Sequence, residues 1–356
     1  NCSPFEAQLL GTPEGCHCVV VLSEKSISFI LNCDLQGKTP NTENFCHYPL
    51  YEETMAGYFG IPSIFFGKPA FTIPLSHITM VFPRRYLHSP IGIEFYTITG
   101  VQISLVASVN YRNLLINYLK PKYTEKAKTG PLYAKQLLMS PVNEIAKKWS
   151  KGSISSFMYL LYLNYCGNRS FTDFSQYPVF PWVVSDYETN EFPPALRDLS
   201  KPLGQLTASR REKFEHIFIE TKHEYFYGTH YSNPAGVLHY MMRAEPFTIF
   251  NVVLHTGFDH RDRLFSSLVE TWRTCSQRNT TDLKELIPQF YCFPSMFENI
   301  NKLQLQTRSD GTDINSVRLP PWGPTPVSFV KRHRQILESN LLSKTLPLWI
   351  DLVFGY

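Results

Sequence analysis

The chain of 356 residues has little of what marks three large protein classes. It contains no run of about 18 apolar residues, whereas a helix that crosses a bilayer needs roughly 20. Its eight cysteines are scattered and too sparse for a secreted disulfide scaffold, which favours free thiols in a reducing cytosol. The net charge of +4 is too small to indicate nucleic-acid binding. Because the first residue is not Met, we expect the sequence to be part of a longer polypeptide.

Common catalytic and cofactor motifs are also missing. The sequence has no Gly-x-Ser-x-Gly nucleophile elbow, no glycine loop that cradles phosphate, and no His-x-x-x-His metal pair. Cys16-His17-Cys18 has no second Cys/His pair at ligand spacing, so it does not predict a zinc site. We therefore predict no metal and no cofactor.

The composition is that of a globular protein, with 43% hydrophobic and 18% charged residues, and the length allows two domains. Within residues 16–106 apolar and polar positions alternate, as at Ile27, Phe29 and Leu31, which predicts about seven β-strands. Asn110 is predicted to begin a helix that Pro121 ends. This order indicates a small β-barrel or sandwich of pleckstrin-homology type with a C-terminal helix, over residues 1–120.

The same region argues against binding of a phosphoinositide head group. Such a ligand needs several cations on the loop between the first strands, and the turn at Glu24-Lys25 offers only one. The following segment, 34–60, is acidic and is predicted to be a loop. Arg84-Arg85 is the one basic pair, and it is interpreted either as a solvated strand end or as a contact to the next domain.

Residues 121–141 carry three prolines and a glycine between lysines, which predicts a linker. From residue 142 onward the hydrophobic period becomes helical. We predict helices over residues 142–149, 155–163, 207–220, 235–243, 262–278, 282–287, 325–339 and 341–353.

One stretch fits neither helix nor strand. Residues 176–184 are strongly apolar, yet Pro178 and Pro181 lack backbone donors and push the residues before them toward an extended conformation. We predict an extended, irregular peptide that runs through the interior. Its free backbone groups must then find partners among nearby polar side chains.

Several blocks of sequence resemble one family. They are Gln176-Tyr177-Pro178-Val179-Phe180-Pro181-Trp182, Tyr227-Gly228-Thr229-His230-Tyr231-Ser232, Arg243-Ala244-Glu245-Pro246-Phe247-Thr248 and Leu319-Pro320-Pro321-Trp322. Over residues 142–356 the chain resembles the BEACH domain. Four positions depart from the family pattern, since Ser156 and Met158 stand where Asn and Glu are usual and Gly167-Asn168 stands where Ala-Gly is typical.

The resemblance implies an α+β multidomain chain. A pleckstrin-homology-like domain (1–120) and a linker (121–141) would precede a mostly helical BEACH domain (142–356) with a buried, irregular, extended core. It also implies docking of the two domains and, further along the full-length chain, WD repeats. Proteins of this family are large cytosolic scaffolds of vesicle trafficking, lysosome-related organelles, autophagy and receptor signalling, peripherally associated with endomembranes, with no established enzymatic activity.

We expect a cleft beside the domain junction to recognise a partner protein. The candidates are of the residue types that dominate interfaces, namely Arg84, Arg85, Tyr86, Arg169, Tyr177, Trp182, Tyr187 and Tyr231. For the aromatic residues after 142, plain core packing is the alternative interpretation and the favoured one.

A hydrolase centred on His230, with Asp173, Asp186 or Glu245 as carboxylates, is the alternative function. The favoured interpretation gives these polar residues a structural role, because an unpaired buried polar group costs roughly 1–3 kcal/mol. Buried polar support for the extended peptide is predicted from Asn164, Arg169, Asp173, Thr229 and His230.

Overall fold

The computed structural model describes residues 3–10, 16–31, 70–86, 89–97, 102–126, 142–227, 230–245, 247–305 and 307–355. The chain divides into two compact units, Asn1–Ile145 and Ala146–Tyr356. The predicted loop over 34–60, the strand turn near residue 100 and residues 127–141 of the predicted linker lie outside the described residues.

The first unit contains an antiparallel sheet of seven described strands. They are β1 (Phe5–Leu10), β2 (Cys16–Ser23), β3 (Ser26–Leu31), β4 (Ala70–Pro74), β5 (Ile78–Tyr86), β6 (Ser89–Thr97) and β7 (Gln102–Val106). They lie in the order β4-β3-β2-β1-β7-β6-β5. Since β4 and β5 stand at opposite edges, the described strands form an open sheet and not the hydrogen-bonded barrel that was one of the two predictions.

Most of the strand prediction is confirmed. The turn at Glu24-Lys25 joins β2 to β3, which pair from Cys18 with Leu31 to Ser23 with Ser26. Strand β1 was missed, although Phe5, Ala7 and Leu9 alternate and are buried as a half-buried strand requires. The assignment of this unit to the pleckstrin-homology type stays a prediction.

Helix α1 (Val109–Lys126) follows the sheet and covers its core. Leu115 and Leu119 are almost fully buried against the apolar side chains of the strands. The predicted end at Pro121 is wrong, because the helix continues to Lys126, so the first residues of the predicted linker are helical. Tyr111 is largely exposed and stacks on Phe5 with ring centroids 4.7 Å apart.

The rest of the chain is mostly helix and irregular peptide. The helices are α2 (Val142–Ser150), α3 (Ser156–Cys166), α4 (Ala208–Glu220), α5 (Pro234–Met241), α6 (Phe247–His255), α7 (Leu268–Arg273), α8 (Pro326–Leu337) and α9 (Asn340–Phe354). Six of them begin after a residue whose side chain accepts a backbone N–H of the first turn, as N-caps do. These residues are Ser155, Thr207, Asn233, Ser267, Thr325 and Ser339.

The predicted helix over 262–278 is wrong in its first half. Only Leu268–Arg273 is α-helical, continued by a π-helical turn over Thr274–Arg278. Before it, Arg261–Arg263 form a short 3-10 turn, and the residues next to the helix pair with a distant segment. Ser267 forms a parallel bridge with Arg318, and the Leu268 N–H donates to the Arg318 carbonyl at 3.0 Å.

The predicted helix over 282–287 is also wrong, and helix α6 was missed. Residues 283–287 are extended, with Leu286 in an antiparallel bridge to Phe180. Glu285 and Leu286 have good helix propensity, but pairing with a buried peptide overrides that weak preference. Helix α6 contains β-branched and aromatic residues, so its composition gave little helical signal.

Arg243, almost fully buried at the end of α5, ties three irregular segments together. Its guanidinium donates to the carbonyls of Phe265, Ile314 and Asn315 at 2.5, 2.6 and 2.9 Å. Burial lowers the pKa of Arg243 to about 10, so the side chain stays charged at neutral pH. Among the parts of the chain that the structure describes, no helix combines the length and the apolar character needed to cross a bilayer.

Candidate interaction site

The predicted buried peptide, Tyr177–Val184, is the centre of the second unit, and we call it the strut. Its six non-proline residues, among them Trp182, are each at most 1% exposed. Apart from bridges at Phe180 and Val184, it belongs to no helix or sheet. The prediction of an extended interior peptide is confirmed, so its backbone groups need partners that secondary structure does not provide.

Asn164 supplies partners for the first half of the strut. Its Oδ1 accepts the Val179 N–H at 2.8 Å, and its Nδ2 donates to the Val179 carbonyl at 3.0 Å. Asn164 is fully buried on α3, so one amide side chain replaces the two bonds that a neighbouring strand would make. Arg169 donates to the Tyr177 carbonyl at 2.8 Å.

The second half of the strut depends on a buried ion pair between Arg197 and Glu285. Arg197 Nη1 lies 2.8 Å from each carboxylate oxygen, and both side chains are at most 4% exposed. The carboxylate also accepts the Trp182 N–H at 3.0 Å and the Trp349 indole N–H at 3.1 Å. Glu285 therefore contacts the strut through Trp182, the segment that carries Arg197, and helix α9 through Trp349.

Two aromatic side chains, Tyr291 and His333, support the strut near Pro181. The Tyr291 hydroxyl donates to the Pro181 carbonyl at 2.7 Å, and His333 stacks on Tyr291 with ring centroids 4.2 Å apart. His333 Nδ1 lies 3.2 Å from the Phe290 carbonyl, so this nitrogen carries the proton of a neutral ring. Complete burial lowers the pKa of His333 to about 3.

Three predicted partner-binding residues belong to this core and not to a surface. Tyr177, Trp182 and Tyr187 are at most 1% exposed. Trp182 packs against Tyr187 and Trp272 with centroids 5.5 and 5.4 Å apart. A partner could not reach them without unfolding the unit. Their assignment as recognition residues is wrong, and the alternative of core packing describes them.

Arg169 and Tyr231 occupy the end of the strut and are only partly buried. The Arg169 guanidinium lies 5.5 Å from the centre of the Tyr231 ring, and Nη2 is 3.4 Å from its hydroxyl. The Tyr231 hydroxyl donates to the Val353 carbonyl at 3.3 Å, near the end of α9. These two residues thus combine a structural contact with some accessible surface.

The three candidates in the first unit differ in exposure. Arg84 is 9% exposed and pairs with Glu94, Nη2 to Oε2 2.7 Å, so the interpretation of Arg84 as a solvated strand end is wrong. Arg84 can be buried because the carboxylate of Glu94, on the neighbouring strand, balances its charge. Arg85 is exposed and Tyr86 is half-exposed.

The remaining predicted polar supports lie in three different settings. Asp173 is half-buried and caps the short helical turn Phe174–Gln176 by accepting the N–H groups of Ser175 and Gln176. His230 is exposed, so its assignment as a buried support is wrong. Thr229 lies outside the described residues.

The carboxylates of the hydrolase alternative are engaged in local turns. Asp186 accepts the backbone N–H groups of Glu188 and Thr189, Glu245 accepts that of Ile249, and Asp173 acts within its own turn. Burial raises the pKa of the thiols of Cys275 and Cys292 to about 12, so neither is a nucleophile at neutral pH. The described His, Cys, Asp and Glu residues form no group of three that could hold a metal ion.

This architecture of a buried strut with polar supports can be compared with known proteins. The family model described as Beige/BEACH domain matches residues 147–356. The chain belongs to the BEACH domain family. It is 39% identical over 297 residues to the putative neurobeachin homologs of Caenorhabditis elegans and Caenorhabditis briggsae, a match that covers 79% of this chain and 12% of each relative.

A plant protein is similar over a shorter part. The BEACH domain-containing protein B of Arabidopsis thaliana is 41% identical over 251 residues, which cover 67% of this chain and 10% of that protein. The chain thus spans about an eighth of the length of the two nematode relatives.

We call the second unit, Ala146–Tyr356, the BEACH unit. Sequence reasoning missed three residues that hold its strut. Arg197, Glu285 and Gln289 were not predicted, although all three are buried and the Gln289 amide donates to the Tyr177 hydroxyl at 2.7 Å. The available signal was Glu285 directly before the apolar residues Leu286-Ile287-Pro288, because a charge beside buried residues needs a partner.

We expect Glu285→Gln to destabilise the BEACH unit by about 3–5 kcal/mol, because it leaves the buried Arg197 guanidinium without a counter-charge. All five tryptophans lie in this unit, so urea unfolding followed by tryptophan fluorescence reports on it. Glu270→Gln, which removes a carboxylate from partly exposed ion pairs with Arg273 and Arg278, is the control with an expected cost of at most about 1 kcal/mol. Equal costs would contradict the role given to Glu285.

We also expect the BEACH unit to lose stability as the pH falls below about 6.5. The folded-state pKa of His333 is about 3, below the roughly 6.5 of an unfolded histidine, so acid favours the unfolded chain. His333→Phe should therefore reduce the slope of unfolding free energy by about 1 kcal/mol per pH unit between pH 5 and 6. His216→Phe, at an exposed histidine of α4, is the control for the replacement of a histidine by phenylalanine. An unchanged slope in His333→Phe would contradict the assignment.

Proposed function

We propose that this chain is a non-enzymatic protein-interaction module of a larger cytosolic scaffold protein. One observation carries the proposal: the buried charged residues of the BEACH unit are used to hold backbone. Arg197 and Arg243 donate to backbone carbonyls, and Glu285 accepts a backbone N–H. Arg197 and Glu285 also pair with each other. Side chains committed in this way stabilise a framework, and function must be argued from the site and not from the fold alone.

The family resemblance extends the proposal to a cellular setting. We infer a role in vesicle trafficking, lysosome-related organelles, autophagy or receptor signalling, with peripheral association with endomembranes through partners. A WD-repeat domain is inferred further along the full-length chain, for which the much greater length of the nematode relatives leaves room. Direct binding of phosphoinositides is not part of the proposal, since the β2–β3 turn offers a single cation.

We further propose that the first unit docks onto the BEACH unit beside a cleft that recognises the partner. Support comes from a polar group on the sheet face opposite the hydrophobic core of the first unit. Glu94 accepts from Arg84 at 2.7 Å, from Ser104 at 3.1 Å and from Gln102. These four side chains are at most 9% exposed, so they do not form the contact themselves. They order the strand that carries the accessible Arg85 and Tyr86, which are of the residue types that dominate interfaces.

Docking is tested on the intact chain with a protease site inserted within residues 127–141. After cleavage we expect the two halves to elute together from a sizing column, because the proposed contact persists without the covalent link. Arg85→Glu combined with Tyr86→Ala, at accessible positions of the first unit, should weaken the association at least tenfold. Lys25→Glu, at the exposed β2–β3 turn, is the control. Halves that separate on cleavage would exclude docking.

The hydrolase alternative is tested at His230. We expect His230→Gln to keep the unfolding free energy within about 0.5 kcal/mol, since the side chain is exposed. The variant should also retain every interaction of the parent protein. Loss of a hydrolytic activity in a variant of unchanged stability would support the alternative.

A further inference from the structure

A cleft between helices α5 and α6 takes no part in the proposed function, and it lies wholly within the BEACH unit. Its volume is about 220 Å³, below the roughly 300–1,000 Å³ of sites for whole small molecules. Asn233, Gly236 and His239 line it from the α5 side, and Asn251 and His255 line it from α6. The size fits one side chain of a partner better than a cofactor.

The charges around this α5–α6 cleft cancel in pairs. Arg263 Nη2 lies 2.6 Å from the Asp259 carboxylate, and the Lys284 ammonium contacts the Asp282 carboxylate. Each pair supplies one positive and one negative charge to the lining. These pairs leave the lining without a net charge, so Coulomb attraction does not select an anion or a cation and an uncharged group is not disfavoured.

Asn251 brings an unused hydrogen-bond acceptor to the lining. Its Nδ2 donates to the Leu238 carbonyl at 3.1 Å, which fixes the orientation of the amide. Its Oδ1 is buried without a hydrogen-bond partner, and the residue is 3% exposed. A buried acceptor left unpaired costs roughly 1–3 kcal/mol, so a donor that reaches Oδ1 through a small shift of the lining side chains would be stabilised there.

His239 supplies a donor and a second acceptor. Burial, assisted by the charges of Lys284, Arg243 and His255, holds the pKa of His239 well below its usual value. A neutral imidazole carries one N–H and one unprotonated nitrogen. Met242 and Leu264 add apolar surface to the lining. Val253 and Leu254, two and three residues after Asn251 on α6, are exposed.

We propose that the α5–α6 cleft binds a primary carboxamide, as carried by a glutamine or asparagine side chain of a partner peptide. The amide N–H₂ of such a group donates to Asn251 Oδ1, and its carbonyl accepts the N–H of His239. The exposed apolar residues of α6 would contact the flanking residues of the same peptide. A carboxylate, which has no N–H, satisfies only half of this pattern, and an aliphatic side chain satisfies none of it.

The test uses the intact chain and three small probes in saturation-transfer NMR. The probes are N-acetyl-glutamine methylamide, N-acetyl-glutamate methylamide and N-acetyl-norleucine methylamide, which share a backbone and differ in the side-chain end. We expect the glutamine probe to give at least a fivefold stronger signal than either of the others. Absence of a glutamine signal, or equal signals from any two probes that include it, would overturn the proposal.

A variant that fills the cleft locates the binding. A Cβ at Gly236 would meet its nearest atoms at 3.5–3.8 Å, which is ordinary contact, so Gly236→Leu should fold and occlude the cleft. Leucine also has a higher helix propensity than glycine. The glutamine signal should fall at least fivefold in Gly236→Leu and in Asn251→Leu, and should persist in the control Ala208→Leu, at an exposed position of α4.

The fold of each variant is followed through its tryptophan fluorescence on heating. Binding that persists in Gly236→Leu at the parental level would place the probe elsewhere and overturn the assignment. If Asn251→Leu unfolds, because the Leu238 carbonyl then loses its donor, Gly236→Leu alone still decides.

Discussion

The ion pair between Arg197 and Glu285 is the interaction on which the BEACH unit depends. Removing two charges from water costs several kcal/mol for each ion, and an isolated pair rarely recovers that cost. Here the carboxylate also accepts N–H groups from Trp182 and Trp349, so the charges satisfy backbone and indole donors that would otherwise stay buried and unpaired. The pair therefore stabilises less by mutual attraction than by fixing where the strut and helix α9 meet.

The two prolines of the strut make this arrangement possible. Pro178 and Pro181 have no N–H, so two of eight strut residues need no acceptor. The remaining donors and acceptors are few enough for single side chains to satisfy, and Asn164, Tyr291 and Glu285 each do so at a different point. A strut without prolines would have two more buried N–H groups that each need an acceptor.

Elements whose signal lies in neighbouring residues were predicted correctly from the sequence. The predictions were wrong where pairing with a distant segment determines the backbone conformation. The starts predicted at residues 235 and 325 lie within one residue of the observed starts, Pro234 and Pro326, because the signals for a helix start lie within a few neighbouring residues. Residues 283–287 have helical propensity, yet they form no helix because Leu286 pairs with the strut and the Glu285 N–H donates to the Tyr231 carbonyl. For the aromatic residues, composition alone could not separate Tyr187, which is core, from Tyr231, which is partly accessible, since burial depends on distant segments.

Rigidity at the strut has a consequence for recognition. Lys284 and Glu285 are adjacent in sequence but have different roles. Glu285 accepts a hydrogen bond from the strut, while Lys284 lines the α5–α6 cleft beside Asp282. The Lys284 carbonyl accepts the Trp182 indole N–H at 3.0 Å, so the backbone of this cleft residue is fixed by the core. A site whose lining is held by the core loses little conformational entropy when it binds, and this favours affinity from few contacts. The irregular interior thus serves recognition by keeping one wall of the cleft in place.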